Sequence, residues 1–309
     1  MSNISHYLLL EKIEIEAANT ISSPLTYGFP AITGFLGAVH ALNRKFHDQG
    51  LDFSGVLIAC NDIEVHRFRP HPYTEYTFNQ SRNPIKKDGK TASIIEEGKV
   101  HLTVSLVIEI SASLRAERNL RDNQKDFERS CKQAILQQRI AGGSTRSINR
   151  ASLFNNASAE EIKRILMPAF VLMDARSDLI EITEELQKSN PEASALDGLI
   201  EVATLHHEPE SAVLGNLKRK TRSKKAGRGW LVPMPVGYQA LIPEFAPGEL
   251  ENCRDASYSS QYVESIYSLG KWVFPNRLHS EFRHCFWRHE QQDNLYLATQ
   301  NINSHGELA

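Results

Sequence analysis

With 309 residues, 35 Lys+Arg against 37 Asp+Glu, a formal net charge of −2 and 41% hydrophobic content, the chain excludes wholesale disorder and a uniformly basic nucleic-acid coat. A basic patch stays open, because net charge averages over faces. The length suits about two domains, or one core with large insertions. Cys60, Cys131, Cys253 and Cys285 stand far apart, which fits reduced thiols better than a disulfide scaffold or zinc site. No stretch has the length and apolarity of a membrane span or signal peptide, so the expectation is a soluble, cytoplasmic protein.

In chain order, Tyr7 to Glu16 sets Ile13 and Ile15 against Glu14 and Glu16 and predicts a half-buried strand. The turn-rich loop Ser22 to Pro30 carries Tyr27 and Phe29. Ile32, Phe35, Leu36, Val39, Leu42 and Phe46 recur at helical spacing, predicting a helix from Ala31 to His47. Gly55–Cys60 and Ile63–Val65 predict a strand with a break near Asn61-Asp62. Residues 67–99 read as an excursion outside the core, with Arg67, Arg69, Arg82, Lys86, Lys87 and Lys90 among Tyr73, Tyr76 and Phe78. A strand over Val100–Ile110, a helix over Asn119–Gln138, the glycine turn Ala141–Thr145 and a fourth strand follow. The order β-α-β-β-α-β predicts an α+β fold with a ferredoxin-like core.

The second half is less regular. A short strand interrupted by Pro168 is predicted over Leu166–Met173, then helices over Ser177–Lys188 and Ala193–His206. Residues 174–215 hold ten acids and two bases, whereas 216–228 hold seven bases and no acid. Gly229–Tyr238 reads as a proline-punctuated edge strand. A helix is predicted over Ala256–Leu269, an aromatic-rich segment Trp272–Trp287 closing the core, and a frayed tail after Gln300.

Catalytic motifs are missing: no phosphate loop, no H-E-x-x-H and no G-x-S-x-G. His206-His207-Glu208 and the series His279, His284, His289 are the densest histidine groups, but i,i+5 spacing does not bring two imidazoles to one helix face. No catalytic residue, metal or cofactor is expected.

Four features point to nucleic acid, each with a plainer reading beside it. The aromatics of the Ser22–Phe29 loop suit base stacking and equally suit covering the core. Asn79, Arg82, Asn83, Lys86 and Lys87 in the excursion suit base-edge and phosphate contacts, or an ordinary solvated hairpin. Arg139 with Gly142 and Gly143 suits close approach of backbone to a phosphate, or a helix C-cap. The run Lys218, Arg219, Lys220, Arg222, Lys224 and Lys225 suits a polyanion, or a linker between domains.

Five blocks carry a resemblance: Ile21–Pro30, Phe78–Pro84, Ile95–Leu102, Arg139–Ser144 and Gly229–Pro233 with Gly237-Tyr238. Together they resemble the second Csy subunits of type I-F CRISPR surveillance complexes, Cas proteins of the RAMP superfamily. The resemblance implies an RRM-type, ferredoxin-like core, with the 67–99 excursion as a thumb hairpin. It implies a non-catalytic, antiviral-defence subunit that holds the 5′ handle of CRISPR RNA and pairs with the large Csy subunit. That subunit would abut the first backbone subunit and lie near the incoming double-stranded target DNA. Carried over by position, the handle contacts are Ser22, Ser23, Tyr27, Phe29, Asn79, Arg82, Asn83, Arg139, Gly142 and Gly143. The basic run is read from this sequence alone. Expected boundaries are a core over 1–150, an acidic helical segment and basic linker over 151–228, and C-terminal strands and a helix completing the core over 229–309. The competing reading is a RAMP-type endoribonuclease that processes CRISPR RNA, for which His66, His71 or His101 would serve as base.

Overall fold

Tyr7, Leu8, Leu9 and Leu10 are all buried, where a strand with one solvated face would expose every second residue. The strand His6–Asn19 (β1) is covered on both faces at this end. Tyr7 stacks on Phe286 and meets Phe282 edge-on, each at 5.3 Å. The half-buried expectation holds only further along, where Ile13 and Ile15 are buried and Glu14 and Glu16 exposed. The computed structural model describes residues 4–210, 218–253 and 255–300, and side chains outside 208–220. The frayed-tail expectation after Gln300 lies outside the described residues. The chain divides into two units, one of residues 1–171 with 274–288 and one of 172–273 with 289–309. These divisions differ from the sequence boundaries at 150 and 228.

In the first unit, helix Ile32–Phe46 (α1) buries Ile32, Phe35, Leu36, Val39, Leu42 and Phe46, the predicted stripe. It packs on strand Leu51–Val65 (β2), which shifts register at Cys60/Asp62 and continues. The sequence break at Asn61-Asp62 is thus a bulge within one strand. Strand Lys99–Ala112 (β3) leads into helices Leu114–Asp122 (α2) and Gln124–Leu136 (α3), where one helix was expected. The split falls at Asn123, whose φ of −126° and ψ of 32° leave the helical region. Strand Gly143–Asn155 (β4) completes an antiparallel sheet in the order β4-β1-β3-β2. Helix Ala159–Leu166 (α4) was not predicted, and the next strand, Phe170–Asp174 (β5), starts later than expected. Residues 274–288 return to this unit as the closing aromatic segment. Phe286 and Trp287 are fully buried, and Val56 and Trp287 exchange backbone hydrogen bonds of 2.9 and 2.8 Å.

One ion pair sits inside this unit. Glu109 of β3 is fully buried, and its carboxylate accepts from Arg288 Nε at 2.9 Å and Nη2 at 2.5 Å. The remaining guanidinium protons go to the Phe286 and Arg283 carbonyls at 3.0 and 2.9 Å. Burial pushes the Glu109 carboxyl above the ordinary range, and Arg288 opposes that shift.

In the second unit, helices Arg176–Gln187 (α5) and Ala195–Ala203 (α6) fall where predicted, although α6 stops short of His206. They bury Leu179, Ile182, Leu199 and Val202 against Leu231 and Leu269. The basic run folds as half of a hairpin, strand His206–Glu210 (β6) with Lys218–Arg222 (β7). Strands Trp230–Ala240 (β8), Val263–Val273 (β9), Arg288–Gln292 (β10) and Leu295–Thr299 (β11) follow. Together with the end of β5 they run β5-β9-β8-β11-β10.

Two expectations are corrected here. The helix over 256–269 does not exist; its second half is β9, paired residue by residue with β8. Tyr258, Tyr262, Val263, Ile266 and Tyr267 mimic a helical stripe, but aromatic and β-branched side chains suit a paired strand, and tertiary pairing decides. The segment read as an edge strand is flanked on both sides at Gly237, Tyr238 and Gln239, which pair with β11 as well as β9. Pro233 and Pro235 lie before β11 joins, so their missing N–H groups cost no ladder bond on that side.

Six α-helices occur among the described residues, beside mostly antiparallel strands. None of these helices is long and apolar enough to cross a membrane.

Candidate nucleic-acid interface

The site begins where β1 ends. Beyond Asn19 the chain forms a small hairpin, Ile21–Ser23 with Thr26–Tyr27. Its hydroxyls hold the turn. Ser23 Oγ accepts from the Leu25 and Thr26 amides at 3.2 and 3.1 Å, and Ser22 and Ser23 contact Thr26 Oγ1 at 2.7 and 2.8 Å. Thr20 Oγ1 donates to the Gly28 carbonyl at 2.6 Å. The loop's two aromatics divide between the two readings left open by the sequence. Phe29 stacks on the core residue Phe35 at 5.4 Å. Tyr27 is 55% exposed and touches Phe78 of the excursion edge-on at 5.3 Å.

The glycine turn lies against the same strand end. The Asn19 amide donates to the Ala141 carbonyl at 2.9 Å. Ala141 and Gly142 have φ values of 49° and 80°, a left-handed step that glycine adopts without cost. Gly143 is forced by proximity, since a Cβ there would lie 2.8 Å from both the N and Cα of Ala18. Arg139 curls back and donates to the Gly142 carbonyl, leaving an exposed side chain over an exposed turn.

The excursion is two short hairpins, Arg67–Phe68 with Thr77–Phe78 and Gln80–Arg82 with Ile94–Glu96. Asn79 ties its root, donating its amide to His66 at 3.4 Å and accepting from Glu97 at 3.1 Å. Thr20 donates to the Gly98 carbonyl at 3.1 Å, so the root sits beside the loop. Asn79, Arg82, Asn83, Lys86 and Lys87 are exposed. Arg67 and Arg69 lie 4.3 and 5.3 Å from the centre of the half-exposed Tyr76 ring. This cation–aromatic stack was missed at sequence level, because it depends on which residues a short hairpin turns toward each other. The Arg67/Arg69 spacing was its only written sign.

The strand outer face beside this rim is acidic. Glu14, Glu16, Asp62 and Glu64 line an open hollow of about 250 Å³ with His101, Thr103 and Arg146. Arg146 pairs with Glu16 at 3.1 Å and Ser147 donates to Glu14 at 2.7 Å. A sheet platform of carboxylates repels phosphate, so an RNA chain at this end is confined to the loops. His66 and His101 meet edge-on at 4.1 Å, and His101 Nδ1 accepts the Ala17 amide at 3.2 Å. That bond occupies one basic nitrogen, and His71 stands apart in the exposed hairpin. His206 and His284 contact Glu201 and Glu281 at 2.8 and 3.0 Å. Burial pushes the Cys60 and Cys285 thiols up to about 12 and about 11, away from nucleophilic thiolates. No group of three metal-ligating side chains converges among the described residues.

Comparison with known proteins bears on these blocks directly. The family model described as CRISPR-associated protein (Cas_Csy2) matches residues 8–298. The chain is also 34% identical to CRISPR-associated protein Csy2 of Pseudomonas aeruginosa (strain UCBPP-PA14), with 93% of this chain and 92% of that one aligned. The chain belongs to the Csy2 family of CRISPR-associated proteins. The resemblance read from the five sequence blocks therefore holds, and the chain is a subunit of the type I-F system.

In this Csy2-family chain the basic run is less free than its composition suggests. Lys224 and Arg228 contact Glu185 of α5 at 3.3 and 2.5 Å. Arg228 first and Lys224 second hold the Glu185 carboxyl below the usual range. In the hairpin register Lys218 and Lys220 stand opposite Glu210 and Glu208, and Arg222 opposite His206. The side chains of Lys218, Arg219 and Lys220 lie outside the described ones, while Arg222 is exposed and Lys225 half-buried. The run belongs to the second unit, whereas the loop, turn and excursion contacts all belong to the first.

Proposed function

We propose that this Csy2-family chain is the non-catalytic subunit that grips the 5′ handle of CRISPR RNA, using the rim where β1 ends. The observation that carries this reading is convergence. Three blocks far apart in sequence, 20–29, 78–98 and 139–143, are tied to one strand end by the Asn19–Ala141 and Thr20–Gly98 hydrogen bonds and the Tyr27–Phe78 contact. They present an exposed tyrosine, an arginine–tyrosine–arginine stack, exposed amides and exposed cations. Unstacked RNA is read by such aromatic planes and amide groups, with cations on the phosphates.

The helix and strand order, with sheet order β4-β1-β3-β2, supports a ferredoxin-like, RRM-type core of the RAMP kind, with the excursion as its thumb. Within this reading Tyr27, Asn79, Arg82, Asn83, Arg139 and the Gly142-Gly143 turn face the handle. Ser22, Ser23 and Phe29 act by holding the loop in shape. Lys86 and Lys87 add phosphate affinity, as do Arg222 and Lys225 of the basic run. Membership of the family supports pairing with the large Csy subunit, contact with the first backbone subunit and proximity to target double-stranded DNA.

The test is handle affinity measured on the assembled complex. Arg82→Ala is expected to weaken binding by about 1–3 kcal/mol, and neutralising Lys86 and Lys87 to flatten the salt dependence. Unchanged affinity in Arg82→Ala would contradict the reading. So would discrete cleavage of repeat RNA that His66→Ala or His101→Ala abolishes, which would install the ribonuclease reading in its place.

A further inference from the structure

The second unit carries an arm that the handle site does not use. Past Gln239, strand β8 keeps only β9 as a neighbour, and the chain runs on through residues 241–262 before returning. The two sides stay zipped. Leu241 donates to the Tyr262 carbonyl at 3.0 Å, and Phe245 and Ser260 exchange bonds of 2.8 and 3.2 Å. Gln261 reaches the Ile242 carbonyl at 3.0 Å and Glu249 caps the Ala246 amide at 2.8 Å. This is an ordered projection, and long ordered connections of this kind are commonly functional.

Its apolar residues have no layer to pack on. By register, Val263 stands opposite Ala240 on one face, whereas Leu241, Tyr262 and Phe245 gather on the other, with Phe245 against Tyr262 at 6.0 Å. Leu241 and Tyr262 are each 55% exposed, Val263 47% and Tyr258 70%. A ribbon that exposes apolar side chains on both faces is covered in its working state. The charge selects what covers it. Residues 241–264 hold five carboxylates and one arginine, which repels a phosphate backbone and complements Lys and Arg.

We infer that this arm docks into another protein subunit of the complex, at an apolar cleft rimmed by basic side chains. The inference rests on membership of the type I-F complex and is independent of the handle contacts. Exposed aromatics on a preorganised support are the usual anchors of such interfaces.

The experiment titrates the full chain, separately, with the purified large Csy subunit and the purified backbone subunit, and reads CRISPR RNA handle affinity in parallel. The double variant Tyr258→Ser, Tyr262→Ser is expected to weaken association with one of these proteins by about tenfold or more, with handle affinity unchanged. Glu251→Gln with Glu264→Gln, both exposed, is expected to flatten the salt dependence of that same association. Wild-type affinity of both variants for both proteins would overturn the inference. Two other results would also overturn it: loss of self-association in place of hetero-association, or loss of RNA affinity with protein association intact.

Discussion

Arg288→Met is expected to destabilise the first unit by about 3–5 kcal/mol. The size follows from the partner it abandons. Glu109 is fully buried in the centre of β3, and two of its bonds come from this guanidinium. Without Arg288 the carboxylate keeps its desolvation cost and loses its counter-charge. The sign of the pH dependence follows. A carboxyl whose folded pKa lies above its unfolded value binds its proton more tightly when folded. Its contribution is therefore most favourable below the ordinary Glu value and is lost as pH rises through the folded pKa. Burial already shifts Glu109 in this direction, with Arg288 opposing. Removing Arg288 raises the folded pKa further, so the variant's deficit is largest near neutrality and shrinks on acidification toward about pH 4.5. Denaturant titrations of both proteins at neutral and mildly acidic pH check this. The stability gap should narrow in acid, and a constant gap would mean that Glu109 does not carry the penalty.

Gly143→Val is expected to damage the interface and the fold together. A Cβ at this position would lie 2.6 Å from Ile15 Cγ2 and 2.8 Å from the Ala18 backbone. The start of β4 must then move off β1, at an overpacking cost of about 1–3 kcal/mol. The same movement pulls Ala141 from Asn19 and separates the turn from the loop. Handle affinity should fall by more than the loss of any single cation produces. Gly142→Ala is the control. Its nearest neighbour beyond the turn is 3.8 Å away, so the cost is the left-handed backbone alone, about 1–2 kcal/mol. Thermal denaturation and handle titration of both variants separate the cases. Equal behaviour would mean that close approach at Gly143 is not what holds the rim together.

The regular elements of the first unit were legible because one-sided burial writes a period into the sequence. Helix α1 and strand β3 are examples. Where burial is two-sided, as at Tyr7–Leu10, the period vanishes and only the run of leucines remains. In β9 the period misled, because aromatics fell at helical spacing in a segment whose conformation is set by pairing with β8. The Tyr27 and Phe29 loop shows the same limit on function. Both residues look alike in sequence, yet Phe35 captures one and leaves the other exposed. The Arg67–Tyr76–Arg69 stack and the acidic strand face depend on register across hairpins, which spacing does not encode. Charge was readable only as a sum. Near-neutrality conceals an acidic stretch beside a basic run, and Glu185 joins them by taking up Lys224 and Arg228.

Photocrosslinking of the chain to CRISPR RNA within the assembled complex, mapped residue by residue, tests the central claim most directly. Handle nucleotides should crosslink to Tyr27 and Tyr76 and not to the face lined by Glu14, Asp62 and Thr103. Crosslinks confined to that acidic face, or to spacer nucleotides alone, would contradict it.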